Sequence, residues 1–165
     1  MARNDPEPNV TLSLLDRLTD NDLSLAADPP VSRAQSVRQL KASLRQDLEW
    51  LLNTRRVAVP PPEGCTEVER SVYVYGLPDL TSFSLNNVKD QDRIQWLLES
   101  AISIFEPRLE SVNVRMQELS PGDRQVRFQI EGLLRMDPAP ERITFDTVLE
   151  LTSGTYKVKG DADTR

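Results

Sequence analysis

The stretch DQDRIQWLLESAISIFEPRLESVNVRM, residues 90–116, decides how the rest of the chain is read. Ile94, Leu97, Leu98, Ala101 and Phe105 recur at helical spacing and predict a helix with one apolar face. Trp96, Ile102 and Ile104 extend that face nearly all round, so the helix is expected to be covered on more than one side. Asn87 or Asp90 caps its start. Pro107 ends it, because proline lacks the backbone N–H, clashes with the preceding turn and drives Glu106 out of helical geometry. Beyond the proline, Val112, Val114 and Met116 alternate with Ser111, Asn113, Arg115 and Gln117, the period of a strand over 110–119. An acid, Glu106, and a base, Arg108, therefore flank a forced corner between helix and strand. Their charges are either solvated or held in one specific pairing.

Downstream the alternation continues. Val126, Phe128, Ile130 and Leu134 mark a strand over 124–134. Ile143, Phe145, Thr147, Leu149 and Leu151 mark the next, and Tyr156 and Val158 a short last one over 155–158. Turn residues stand between them: SPGD at 120–123, DPAP at 137–140 and SG at 153–154. Short turns between alternating strands predict an antiparallel meander with one covered face. The last strand is an edge, either protected by its charges or open to a strand from another chain.

Upstream, Val37, Leu40, Leu44, Leu48, Leu51 and Leu52 form one stripe of a helix over 33–53. Ser32 and Gln35 form a capping-box pair at its start. Trp50 either widens the core face or marks a contact patch. The prolines at 60–62 favour an extended connector. SVYVY at 71–75 reads as a short strand or extended segment, and GLPD at 76–79 as a turn. Nearer the N-terminus, Leu12, Leu14, Leu15 and Leu18 crowd a segment too short to be helical by itself. It either packs back on its own domain or docks a partner.

The fold class expected is α+β: an antiparallel β-meander with two main helices packed on one face, preceded by a short N-terminal docking segment. Residues 1–30 are expected to form a flexible arm carrying the Leu-rich segment, 31–159 a single α+β domain, and 160–165 an acidic flexible tail.

Composition narrows the chemistry. The chain has 165 residues, of which 38% are hydrophobic and 28% charged, with a net charge of −6. A negative chain without a basic stripe argues against nucleic-acid binding. The single cysteine, Cys65, allows no intrachain disulfide and fits a reducing compartment. The first residues lack the apolar run of a signal peptide, and no segment approaches the ~20 apolar residues of a membrane helix. A cytoplasmic location without membrane insertion is expected. There is no histidine. That removes the commonest general base, the serine–histidine and cysteine–histidine nucleophile systems and most catalytic zinc sites. No Gly-rich phosphate loop occurs either, and no cofactor is expected. What remains is carboxylate chemistry, for which Glu106, Glu110, Glu99, Asp47 and Glu49 are candidates. Glycoside hydrolysis needs two of them across a cleft.

Four motifs resemble one family: LLDRL at 14–18, RQDLEWLLNTR at 45–55, YGLPDL at 75–80 and EPRL at 106–109. They occur in the order seen in TssE, the baseplate component of type VI secretion. TssE is itself similar to the small wedge protein of contractile phage tail baseplates. The resemblance spans roughly residues 11–158. It implies a structural role with no enzyme activity. The protein would join a TssF–TssG wedge with TssK nearby, at the inner face of the cytoplasmic membrane, and offer a platform on which the TssB–TssC sheath starts to polymerise. Glu106, Pro107 and Arg108 match the family's signature motif and are implied to anchor the wedge contact, to fix the local fold, or both. Leu14, Leu15, Arg17 and Leu18 are the implied docking residues, and the open sheet edge would suit strand exchange with the first sheath ring. The family also carries an old lysozyme label, which would make Glu106 the acid of a peptidoglycan-cleaving hydrolase. A glutamate beside an arginine suits that task poorly, since the positive neighbour favours the ionised form.

Overall fold

The computed structural model describes residues 10, 12–19, 32–80, 83–85, 87–117, 125–150 and 153–160. The expected turn at 120–123, Leu151, most of the N-terminal arm and the tail from 161 lie outside the described residues. Among the described residues three α-helices, α1 (Leu14–Leu18), α2 (Arg33–Asn53) and α3 (Val88–Phe105), accompany four strands. The strands are β1 (Leu109–Met116), β2 (Gln125–Leu134), β3 (Glu141–Glu150) and β4 (Thr155–Lys159). The sheet is an antiparallel meander in the order β1-β2-β3-β4, and the two long helices cover one face, α2 over β4 and α3 against β1.

Local signals explain the elements. The Ser32 hydroxyl accepts the Gln35 N–H and the Gln35 side chain accepts the Ser32 N–H, closing a capping box on α2. Leu40, Leu44, Leu48, Leu51 and Leu52 then run down the buried side of that helix. At its start Ser36 is buried and Val37 only half-buried. The serine is tolerated inside because its hydroxyl donates to the Arg33 carbonyl and accepts the Val10 N–H. Asn87, not Asp90, caps α3; the Asp90 carboxylate accepts the Ser84 N–H instead.

One expectation fails. The residues at 71–75 are not a strand: Thr66–Arg70 and Val72–Val74 are 3-10 turns. Ser71 between them uses its side chain to accept the Tyr73 N–H, a local bond that competes with extended structure. Among the described residues no strand lies beside the segment, and β propensity without a pairing partner does not make a strand. α3 packs against β1 and α2, and the loop over 56–78 covers its outer side only in part. Ile102 is buried, but Trp96 and Ile104 remain 52% and 45% exposed, and the Arg93 guanidinium lies 4.7 Å over the Trp96 ring.

The sheet's inner face carries Val126, Phe128 and Ile130 of β2, Ile143, Phe145 and Leu149 of β3, and Tyr156 and Val158 of β4. Between Glu110 and Asn113 the β1–β2 register shifts, so that Ser111 and Val112 together oppose Gly132. Ser111 takes the positive φ (52°) that this bulge requires. Thr147 interrupts the apolar row of β3. It is 1% exposed and its hydroxyl has no partner among the described residues. A buried, unbonded hydroxyl costs about 1–3 kcal/mol. Thr147→Val keeps the shape and removes the hydroxyl, so the urea midpoint is expected to rise by the equivalent of about 1 kcal/mol or more. A lower midpoint would show that the hydroxyl is bonded in solution.

Candidate functional site: the Glu106–Pro107–Arg108 corner

α3 ends as its sequence requires. The Glu106 N–H still reaches the Ile102 carbonyl at 2.8 Å, but Glu106 itself has left helical geometry (φ −121°, ψ 76°). Pro107 is exposed at the apex of the turn. The turn closes when the Leu109 N–H meets the Glu106 carbonyl at 3.1 Å. The Arg135 N–H then takes the Arg108 carbonyl at 2.8 Å, which registers the start of β1 on the end of β2.

This turn throws the Glu106 carboxylate inward, where the residue is only 4% exposed. A buried carboxylate needs a cation and full hydrogen bonding. Arg108 supplies both. Its Nε donates to Oε1 at 2.6 Å and its Nη2 donates to Oε2, a two-pronged grip, and its backbone N–H adds a bond to Oε1 at 3.3 Å. The same Nη2 reaches Asp47 on α2, and Nη1 reaches the Ser43 hydroxyl at 3.5 Å. One guanidinium thus joins the end of α3, the start of β1 and the middle of α2. The Glu106 bonds, opposed by burial and helped by Asp47, hold its pKa well above the usual arginine value. Tyr75 closes one side. Its ring meets Phe105 edge-on at 5.1 Å, and burial, with the negative charges of Asp47 and Glu106, pushes its phenol up.

A second chain of bonds runs outward. Ser43 donates to Asp16 Oδ2 at 2.7 Å, and Ser13, the N-cap of α1, donates to the same oxygen at 2.6 Å. Partial burial raises the Asp16 pKa. The hydrogen bonds from Ser13 and Ser43 and the charge of Arg108 outweigh it, so the net shift is downward. The short α1 is therefore pinned at the node that holds Arg108. The Leu-rich segment divides there. Leu12 packs against the core, whereas Leu14, Leu15 and Leu18 are 74%, 61% and 81% exposed. Arg17 is exposed with them.

Of the five candidate carboxylates the structure gathers two, Glu106 and Asp47, and it gathers them on one guanidinium. Both Glu106 oxygens accept hydrogen bonds from Arg108, and a paired cation favours the ionised carboxylate over the protonated form a general acid needs. Glu99 accepts the Val114 N–H at 2.8 Å, Glu110 pairs with Arg135 at 3.1 Å on the surface, and Glu49 lies half-buried on α2. Among the described residues no cluster of acids or cysteine could hold a metal ion.

Sequence reasoning paired Glu106 with Arg108 but missed the roles of Ser43, Asp47, Asp16 and Tyr75. Ser43 and Asp47 are four residues apart, hence one turn apart on one face of α2. That spacing was a signal, though nothing in it points to Arg108 sixty residues on.

The family model for the baseplate wedge protein gp25 matches residues 38–139. No curated protein matches the chain. The matched span begins in the first turns of α2, contains Ser43, Asp47, Tyr75 and the whole corner, and ends at the threshold of β3. It covers more than half of the chain, and the chain belongs to the baseplate wedge protein gp25 family.

Proposed function

We propose that this chain is the TssE-type component of a type VI secretion baseplate. In this reading it binds the TssF–TssG wedge, with TssK nearby, and provides the platform on which the TssB–TssC sheath begins to polymerise. It acts structurally, without catalysis, in the cytoplasm at the inner face of the membrane. The observation that carries the reading is the family match across the corner, where Glu106 is spent on holding Arg108. A structural part needs fixed angles between its contact surfaces, and this corner fixes them. It presents Pro107 outward, and through Ser43 and Asp16 it holds the exposed Leu14, Leu15, Arg17 and Leu18 at a set distance from it. Among the described residues no helix is long and apolar enough to cross a membrane.

Co-purification tests the reading. The chain is expected to bring down TssF and TssG from its source, and Leu14→Ser with Leu18→Ser is expected to weaken that capture while leaving the urea midpoint unchanged. Loss of secretion with wedge and sheath intact would count against it. So would release of peptidoglycan fragments by the purified protein, abolished by Glu106→Gln.

A further inference from the structure

α1 is pinned to one flank of α2 through Asp16 and Ser43, and the outward face of α2 is left open. Gln39, Ala42, Gln46 and Trp50 follow one another along that face at helical spacing, all of them exposed. About three turns without a charge are unusual on a solvated helix face, which ordinarily carries charged side chains. Between this stripe and α1 runs a groove of about 500 Å³. Leu15 stands on its α1 side and Trp50 on its α2 side, 61% and 51% exposed. Ala42, the smallest side chain on the wall, lets another backbone come close. Arg45 lines the groove as well. Arg38, two turns before it on the same side of α2, and Arg17 on α1 are exposed too. None of the three arginines has an ion-pair partner among the described residues. The one described acid on the wall is Asp16, and its carboxylate is taken by the Ser13 and Ser43 hydroxyls. Glu49, one turn beyond Arg45, is half-buried. A chain of net charge −6 thus presents an apolar groove rimmed by cations.

We propose that the groove between α1 and α2 is a docking site for an amphipathic helix of a partner protein, apolar on one face and acidic along its flank. Apolar side chains three and four residues apart enter between Leu15 and Trp50 over Ala42, and carboxylates two turns apart meet Arg38 and Arg45. Tryptophan and arginine are the side chains that most often anchor such contacts. From Gln39 to Trp50 the stripe measures about 16 Å, the length of three helical turns. A second copy of the chain fits poorly, because a twofold pairing sets the same arginines against one another. The wedge reading already gives Leu15 to a partner; what is added is the shape and charge of the partner's segment. Only the owner of that helix depends on the wedge reading.

The test uses the whole chain carrying Trp96→Phe, so that Trp50 is the one emitting tryptophan, and two peptides of about fifteen residues, long enough for a helix. Both carry leucines three and four residues apart, one with glutamates along the flank and the other with lysines. The glutamate peptide is expected to shift the Trp50 emission to the blue and to bind about tenfold more tightly than the lysine peptide. Arg38→Glu combined with Arg45→Glu is expected to weaken the glutamate peptide about tenfold or more and to reverse the preference. Ala42→Gln fills the floor and is expected to weaken both peptides alike. These positions are exposed, so the urea midpoints are expected to stay within a few tenths of a molar of the parent's, about the spread of ordinary surface changes; Arg45→Gln serves if the double reversal does not fold. Equal affinity for the two peptides, or indifference to the charge reversal, would overturn the acidic partner. Binding without a change in Trp50 emission, or undiminished by Ala42→Gln, would overturn the groove. Self-association of the chain that shifts Trp50 and is lost in Ala42→Gln would make a second copy the occupant and overturn the partner helix. Failure to capture TssF and TssG while the glutamate peptide still binds would strike the wedge reading and leave the groove standing.

Discussion

Arg108→Ala is expected to lower the stability of the domain by about 3–5 kcal/mol, the cost of leaving a buried charge without its partner. The size follows from where the charges sit. The Glu106 side chain is 5% exposed and the Arg108 side chain 25%, so water replaces little of what the guanidinium provides. Asp47, 35% exposed, is the better solvated of the two acids, and the cost comes mainly from Glu106. The check is urea unfolding at neutral pH, with Arg135→Ala as the comparison. Arg135 and Glu110 also form an ion pair, but at 64% and 55% exposure, and such pairs contribute about 0–1 kcal/mol. Arg108→Lys is expected to fall between them, since an ammonium cannot grip both Glu106 oxygens and Asp47 together. If Arg108→Ala costs no more than Arg135→Ala, the corner is not what joins α2, α3 and β1. The result also bears on function. Loss of the bracket lowers stability whatever the chain binds, so a binding defect in Arg108→Ala does not by itself locate an interface. Pro107 is exposed, and Leu14, Leu15 and Leu18 lie outside the core. Substitutions there separate contact from folding.

The elements most legible in the sequence were those whose cause is local. The capping box at Ser32 and Gln35, the leucine stripe of α2, the stop at Pro107 and the alternation of β2 and β3 each depend on a few neighbouring residues. The α+β class followed, because alternating strands joined by short turns leave one face for two amphipathic helices. Readings went astray where tertiary neighbours decide. SVYVY has strand composition, but among the described residues no strand lies where it could pair. Trp96 and Ile104 are apolar yet about half exposed, because the loop over 56–78 covers that side of α3 only in part. The candidate site divides in the same way. Glu106 and Arg108 are two residues apart and could be paired on paper. Asp47, Ser43 and Asp16 reach Arg108 only because α2 crosses the corner. The exposure of Leu14, Leu15 and Leu18 also needed the fold, since a leucine-rich helix on a tether reads equally well as packed or free.

Gly76→Ala is expected to be as damaging as the loss of Arg108, for reasons of space and not of charge. Gly76 has φ +99°, in the region that side chains avoid, and a β-carbon there would lie 2.2 Å from the Thr54 carbonyl oxygen. That oxygen cannot retreat. It already accepts the Leu77 N–H at 2.8 Å, and the Leu77 carbonyl takes the Arg56 N–H at 3.0 Å, the bonds that tie the end of α2 to this loop. The strained backbone costs about 1–2 kcal/mol, and displacing packed neighbours a further 1–3 kcal/mol or so, which sums to roughly 2–5 kcal/mol. Gly64→Ala isolates the two contributions. Gly64 has φ +82° and nothing within 4 Å of its would-be β-carbon, so only the backbone cost of about 1–2 kcal/mol applies. Urea midpoints of the two variants give the difference directly, and equal midpoints would mean that the loop yields where the structure holds it tight. A large difference has a further consequence. Tyr75 precedes Gly76 and stands against Phe105 beside Asp47 and Glu106. A loop pushed off Thr54 carries that ring away and opens the pair to water, which weakens the reason Arg108 is held so firmly. Gly76→Ala combined with Arg108→Ala should therefore cost less than the sum of the two single changes. Strict additivity would show that the loop and the corner are independent supports.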